Sequence, residues 1–514
     1  MVIILKKAIV FLISICVCLS VCSCSSSKYS DKTVYFATKD SVSTLDPQLA
    51  STSAEITVAS NCFEGLLTKN SDGKIVEGMA KKYSVSADKK TYTFTIRDDA
   101  VWSDGETKVT ADDFLFGLQR TVKKSTNSPY VSSVFSIKNA KSINDGKTSM
   151  SKLGVVANGN TLTINLAKVD DGFLETLTKP LCFPCNREFF ENTNGKYGLS
   201  KKDTLFNGAF YVSTYNKDEK NVLIYRNSEY NGEYYAVSQA ISINYSEDYE
   251  DIYTNFEKNQ IDVGTIECDY IKGLEAQGNS TKLFYNTNYV LYMSGDLKSS
   301  SGTDLRKSLV TDIDYNTIKT NTTDYYKTVN GIIPSINTLD GKNYRDTVGG
   351  INHIEFNFKK AQKSLGDYNH AKEALTDKFI YYPENNEKLE LISNLIVQGW
   401  QKDLDVFVNS KALDLTKIQN GVKSGEILMA ILPVSGENNS AISSFNSLYD
   451  LKIAENADGY SIDKLYSSEK KLISSYKIYP LVSIPTAISI ESDISKVNTS
   501  ADGKIIDFRY ITKK

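Results

Sequence analysis

Histidine is the scarcest chemical resource of this sequence, with His353 and His370 the only two in 514 residues. A Ser-His-Asp arrangement needs an imidazole to take the serine proton, and no Gly-x-Ser-x-Gly elbow is present to offer the serine. Zinc is equally poorly served. Cys182-Phe183-Pro184-Cys185 would need two further ligands, and no second cysteine pair supplies them. Gly146-Lys147-Thr148 lacks the upstream glycine of a phosphate loop, and no Gly-x-Gly-x-x-Gly follows a strand. Positive charge is also in short supply, with 59 Lys and Arg against 62 Asp and Glu and no basic block. The chain therefore lacks the electrostatic footprint of a nucleic-acid binder. No metal, no cofactor and no enzymatic activity are expected.

Cysteine is present eight times, but four of these, Cys16, Cys18, Cys22 and Cys24, sit in the N-terminal segment. Cys62, Cys182, Cys185 and Cys268 are too few to frame so long a chain with disulfides. Cys182 and Cys185 read as strand-end thiols, either free or joined locally. Acidic clusters occur at Asp112-Asp113 and at Glu247-Asp-Tyr-Glu-Asp251. A glycosidase would use two carboxyls across a cleft, but both clusters open helix-like segments, where they complement the dipole.

What is there begins with Lys6 and Lys7, followed by an apolar run from Ala8 to Val21. The run is shorter than the roughly 20 residues of a membrane-spanning helix, so it reads as a secretion signal. Val21 and Ser23 stand three places and one place before Cys24, the pattern of a lipoprotein signal. Residues 1–23 are then removed, Cys24 carries the lipid, and residues 24–32 form a tether on the outer side of the cell membrane. The competing reading is an ordinary secreted protein whose signal is rich in cysteine.

Hydrophobic residues make up 41% and charged residues 24% of the chain, an ordinary globular composition long enough for two or three domains. Strict alternation predicts a strand over Thr91-Tyr-Thr-Phe-Thr-Ile-Arg97, and a second strand is predicted over Thr33–Thr38. Helices are predicted over Thr110–Arg120, with Thr110 as N-cap, and over Asp248–Lys258, Gly302–Asn316, His370–Thr376 and Lys388–Leu404. The mixture is α/β or α+β. Tyr211, Tyr215, Tyr225, Tyr230, Tyr234 and Tyr235 crowd the middle of the chain, as half-buried strand residues or as cleft lining.

Several strings, in order, resemble the extracellular solute-binding proteins of peptide and nickel ABC importers, family 5. They are Leu45-Asp46-Pro47, Phe63-Glu64-Gly65-Leu66-Leu67, Asp72 to Ala80, Tyr83 to Arg97, Trp102-Ser103-Asp104-Gly105 and Thr110-Ala111-Asp112-Asp113-Phe114. Ser128-Pro129-Tyr130, Asn207 to Val212, Gln260 to Gly264, Leu305 to Asp314 and Gly331-Ile332-Ile333-Pro334 keep the same order. The resemblance implies an α/β fold, a two-lobed type II periplasmic-binding-protein-like clamshell with an extra α+β domain inserted in the first lobe. Residues 33–61, 189–285 and 480–514 would form the first lobe, 62–188 the insertion and 286–479 the second lobe.

The resemblance also implies a monomeric substrate-binding lipoprotein that hands a small solute, a short peptide, to an ABC importer permease. Its ligand contacts would come from the loop after the first strand, at Ser41, Val42 and Ser43, and from Tyr130. A second-lobe segment of the form Trp-x-x-Asp-Tyr-x-Asp-Pro would complete them. Here that stretch reads Ile431-Leu-Pro-Val-Ser-Gly-Glu-Asn-Asn-Ser440, without the Trp or either Asp. The acid that pairs with a peptide's amino terminus in the family is missing. Glu437, or the backbone of Leu432, Pro433, Val434 and Ser435, is expected in its place. A changed ligand class, or a surface lipoprotein of the same fold that signals or adheres, is the alternative.

Overall fold

The computed structural model describes residues 30–295, 302–351, 355–366, 375–384, 386–436 and 440–514. The signal segment, Cys24, His353, His370 and Glu437 lie outside these residues, as does most of the helix expected over His370–Thr376.

The first strand, Ser30–Thr38, is flanked on both sides by parallel partners, Ser238–Tyr245 and Val263–Ile266. Parallel strands are buried on both faces and read as apolar runs, and the buried Val34, Phe36 and Ala37 of this strand show why. Four antiparallel strands complete a seven-stranded sheet in the order Ser280–Phe284, Thr486–Ile490, Val263–Ile266, Ser30–Thr38, Ser238–Tyr245, Asn221–Arg226, Phe210–Asn216. A second sheet of six strands runs Lys327–Thr328, Ile478–Ser483, Asn288–Met293, Met429–Val434, Phe379–Pro383, Asn409–Leu413.

A third sheet has four antiparallel strands, Ala80–Val85, Thr91–Ile96, Thr161–Asn165 and Val155–Asn158. Tyr92, Phe94 and Ile96 alternate inward, as the period of two requires. Helix Ala111–Val122 supplies Phe114, Leu118 and Val122 to the same apolar cluster. Thr110 caps that helix, and the Asp113 side chain returns a bond to the Thr110 N–H at 2.8 Å. The core of this unit is continuous with the core under the seven-stranded sheet.

The expected helix Gly302–Asn316 is two helices, Gly302–Thr311 and Tyr315–Asn321. Asp314 divides them, because its carboxylate accepts from Asn316 N–H at 2.9 Å and caps the second. The expected lobe boundary at 479/480 also moves. Ile478–Ser483 pairs from Ile478 to Ser483 with Asn288–Met293 in the six-stranded sheet, so the boundary follows Ser483.

Among the described residues the chain passes between the two large sheets at 285–287 and at 484–485. The crossings are neighbours, since Phe284 pairs with Thr486 on one side and Asn288 with Ser483 on the other. Two short adjacent connections between rigid sheets are the geometry of a hinge.

Candidate functional site

In open α/β sheets, ligands bind beyond the carboxyl ends of parallel strands. In the seven-stranded sheet those ends are Thr38, Tyr245 and Ile266, and in the six-stranded sheet they are Pro383, Leu413 and Val434.

The loop after Thr38 is held from below by Glu55, which is 2% exposed. Its carboxylate accepts from the Ser43 N–H at 2.9 Å, the Ser51 N–H at 2.8 Å, the Thr52 N–H at 3.1 Å and the Ser51 hydroxyl at 3.0 Å. The Ser43 hydroxyl donates to it as well. Burial pushes the Glu55 pKa up, but the donors from Ser43, Ser51 and Thr52 outweigh it and hold the carboxyl below its ordinary value. The loop carbonyls are also occupied: Ser41 accepts from Thr52 Oγ1 at 3.0 Å, Val42 from Tyr215 OH at 3.1 Å and Ser43 from Lys217 Nζ at 2.8 Å.

Of the three loop residues expected to meet ligand, Ser41 and Ser43 are exposed and Val42 is buried. Tyr130 reaches the same loop from the four-stranded unit, its hydroxyl donating to Ser51 C=O at 2.9 Å. Leu45-Asp46-Pro47 is anchored differently. Asp46 is buried against Arg120, whose Nη1 lies 3.1 Å from Asp46 Oδ1, with Phe190 and Tyr197 flanking the guanidinium. That motif fixes the loop's far end, with the Asp46 side chain turned inward to Arg120.

The opposite side is apolar. Leu432 and Val434 are 1% and 0% exposed and pack with Val290, Ile332 and Ile418 inside the second lobe. Their side chains share one face of the strand and point into the core, which leaves the backbone, the group expected to meet a ligand here, as what they can offer. Pro433 is half-buried opposite Tyr289, and Ser435 is exposed. A Cβ at Gly436 would run into Ser440 C=O and Ser444 Oγ, so only glycine fits against them there.

Charged contacts that the sequence did not announce join the two sides. Lys388, at the start of helix Glu387–Leu404, pairs with Asp269 in helix Cys268–Ala276. Lys272 pairs with Asp324 at 3.0 Å, and Tyr325 OH donates to Glu275 at 3.2 Å. Burial raises the pKa of Glu267 against the opposing pull of Lys388. Apart from Lys272, in the middle of helix Cys268–Ala276, these residues sit at element ends or between elements, where no periodicity marks them.

Cys182 and Cys185 are free, buried thiols, and burial pushes both up to about 12. No local disulfide joins them, and Cys182 ends a 3-10 turn rather than a strand. They are inert packing groups at neutral pH.

A family model described as bacterial extracellular solute-binding proteins, family 5 Middle, matches residues 74–456. The dipeptide-binding protein of Lactococcus lactis subsp. cremoris is 32% identical over 212 residues, 40% of this chain and 38% of that one. The oligopeptide-binding protein OppA of Bacillus subtilis is 34% identical over 187 residues, 36% of this chain and 34% of that one. The matches thus span well under half the length of these two relatives. The dipeptide-binding protein DppE of Bacillus subtilis is 25% identical over 372 residues, 70% of this chain and 67% of that one. In three dimensions the substrate-binding domain of an oligopeptide ABC transporter from Bacillus anthracis superposes with a TM-score of 0.73 at 21% identity, covering 95% of this chain and all of that one. Listeria monocytogenes OppA bound to peptide gives 0.71 at 21% identity, covering 94% of this chain and 99% of that one. The shared fold is the two-lobed α/β clamshell.

Proposed function

Because this chain belongs to the bacterial extracellular solute-binding proteins of family 5, which bind ligands without transforming them, we propose that it is the substrate-binding subunit of an ABC importer with a short peptide as its ligand. The observation that carries the reading is the pair of adjacent crossings at 285–287 and 484–485, with a fixed polar loop on one side of the hinge and an apolar strand end on the other. A ligand that touches both sides has higher affinity for the closed state and shifts the hinge toward it. The permease then recognises the closed form.

In this reading Ser41, Ser43 and Tyr130 meet the ligand from the first lobe. The backbone of Leu432 to Ser435 meets it from the second lobe, together with Glu437. Val42 contributes through its backbone. The protein acts as a monomer held to the outer membrane face by a lipid on Cys24. Native mass spectrometry of residues 25–514, purified without denaturation, tests the ligand class. Co-purifying peptide masses support the proposal; an empty cleft that also ignores a peptide library in thermal-shift assays overturns it. Labelling with a fatty-acid analogue, compared between wild type and Cys24→Ala, tests the anchor.

A further inference from the structure

A cavity of about 190 Å³ opens on the first-lobe side of the hinge, lined by Lys39, Asp40, Thr57, Thr265, Thr486 and Lys504, with Tyr249 beside them. Pockets that enclose a whole small ligand measure about 300–1,000 Å³, so this one has room for a single end of such a molecule.

Its wall carries two ammonium groups, Lys39 and Lys504, against one carboxylate, Asp40. Among the described residues neither Lys39 nor Lys504 is paired with a carboxylate; the Lys39 ammonium lies 4.9 Å from the centre of the Tyr249 ring. Asp40 is already engaged, since its Oδ2 accepts from Ser53 N–H at 3.1 Å at the start of helix Ser53–Cys62. The Thr265 hydroxyl is buried and has no hydrogen-bond partner among the described residues, which is costly unless a ligand supplies one. Burial, with Glu267 and Asp40 nearby, pushes the Tyr249 phenol up to about 12, so it remains a donor at neutral pH.

The cavity is also tied to both crossings. Thr486 directly follows the connection 484–485. The turn carrying Lys504 is clasped by the other connection, with Asn286 Nδ2 donating to Asp502 C=O at 2.9 Å. Gly503 in that turn has φ +68°, and a Cβ there would come within 2.3 Å of the Phe284 ring.

We infer that this cavity receives a carboxylate of the cleft ligand, held by Lys39, Lys504 and the Thr265 hydroxyl, so that the anchoring charge of the ligand is negative. The inference rests on the cleft being the ligand site. It accounts for the segment from Ile431 to Gly436, which offers no acid to an amino terminus.

The test uses residues 25–514 and propionate as a probe. Propionate should raise the Tm of the wild type saturably. The rise should weaken in Lys504→Gln and vanish in Lys39→Gln/Lys504→Gln, whose Tm without propionate should be unchanged. An equal response in all three proteins, or none in the wild type, overturns the inference. Matched tripeptides then locate the source: free C-terminal acid, C-terminal amide, and amide bearing an Asp side chain. A preference of about tenfold for the free acid assigns the site to the chain terminus, and one for the Asp-bearing amide assigns it to a side chain; both support the inference. Equal affinity for all three overturns it and leaves the peptide reading intact. A propionate response without any peptide binding supports it and overturns the peptide reading.

Discussion

Each lobe holds one loop near the hinge with a single buried glutamate, and the two do so by different means. Glu55 in the first lobe gathers N–H and O–H donors from Ser43, Ser51 and Thr52, with no cation among them. Glu469 in the second lobe is fully buried and accepts from Ile332 N–H at 2.7 Å, Ile333 N–H at 3.1 Å, Tyr344 OH at 3.0 Å and Arg345 Nη2 at 2.6 Å. The turn at Gly331–Pro334 that it fixes also accepts from Asn288, the first residue of its strand beyond a crossing. Glu55 sits in the first turn of a helix, where the dipole stabilises its charge. Glu469 lies inside helix Ile462–Ser474, where it has no such support, and a guanidinium supplies the positive charge instead.

The sharpest way to break the comparison is to remove each carboxylate. Glu469→Ala leaves Arg345, whose side chain is 13% exposed, without its partner, and the expected loss is about 3–5 kcal/mol. Glu55→Ala strands only neutral donors beside a partly open loop, so the expected loss is smaller, about 2–3 kcal/mol. Urea denaturation of both variants checks the order. Equal losses would mean that the helix terminus and the guanidinium are interchangeable supports.

The sequence carried the large elements because period and capping are local. The alternation at Thr91–Ile96 and the Thr110 cap were legible for that reason. The break at Asp314 was not, since the same residues satisfy a helical period on both sides of it. The candidate site was legible only in part. The loop at Ser41 to Ser43 follows from the end of the first strand, but Glu55 looks like any first-turn acid until the loop folds onto it. For Leu432 to Ser435 the resemblance gives only the segment, whereas the pleat decides that the Leu432 and Val434 side chains are turned into the core. The pairs Lys388–Asp269 and Lys272–Asp324 depend on how the lobes meet, which no window of sequence contains.

A third acid sets the opposite pH response. Asp312 is 2% exposed, and among the described residues neither of its carboxylate oxygens has a hydrogen-bond partner. Burial, aided by Asp403, raises its pKa to about 7. In the folded state it keeps a proton that the unfolded chain releases near about 4. Its stabilising share is therefore complete at low pH and is lost as pH rises through about 7. Glu55 runs the other way: its folded pKa is depressed, so its share is present above the ordinary range and is lost as pH falls through the lowered value. Asp312→Asn should gain about 1–2 kcal/mol over wild type at pH 8 and little at pH 4. Thermal unfolding across pH reads the difference, and a gain that does not shrink on acidification would contradict it.

The smallest effect on stability should come from the hinge, which belongs to neither lobe. Asn286 makes one side-chain bond across it, to Asp502 C=O, and a single neutral hydrogen bond contributes about 0.5–1.5 kcal/mol. Asn286→Ala should therefore lower stability by no more than about 1 kcal/mol. Its effect on ligand binding should be larger in proportion, because the bond holds the turn carrying Lys504 against the connection that must move on closure. Isothermal titration with a ligand recovered from the native protein, beside urea denaturation of the same variant, separates the two. Weakened binding with near-normal stability makes the clasp part of the closing machinery; unchanged binding makes the Asp502–Lys504 turn a passive rim of the first lobe.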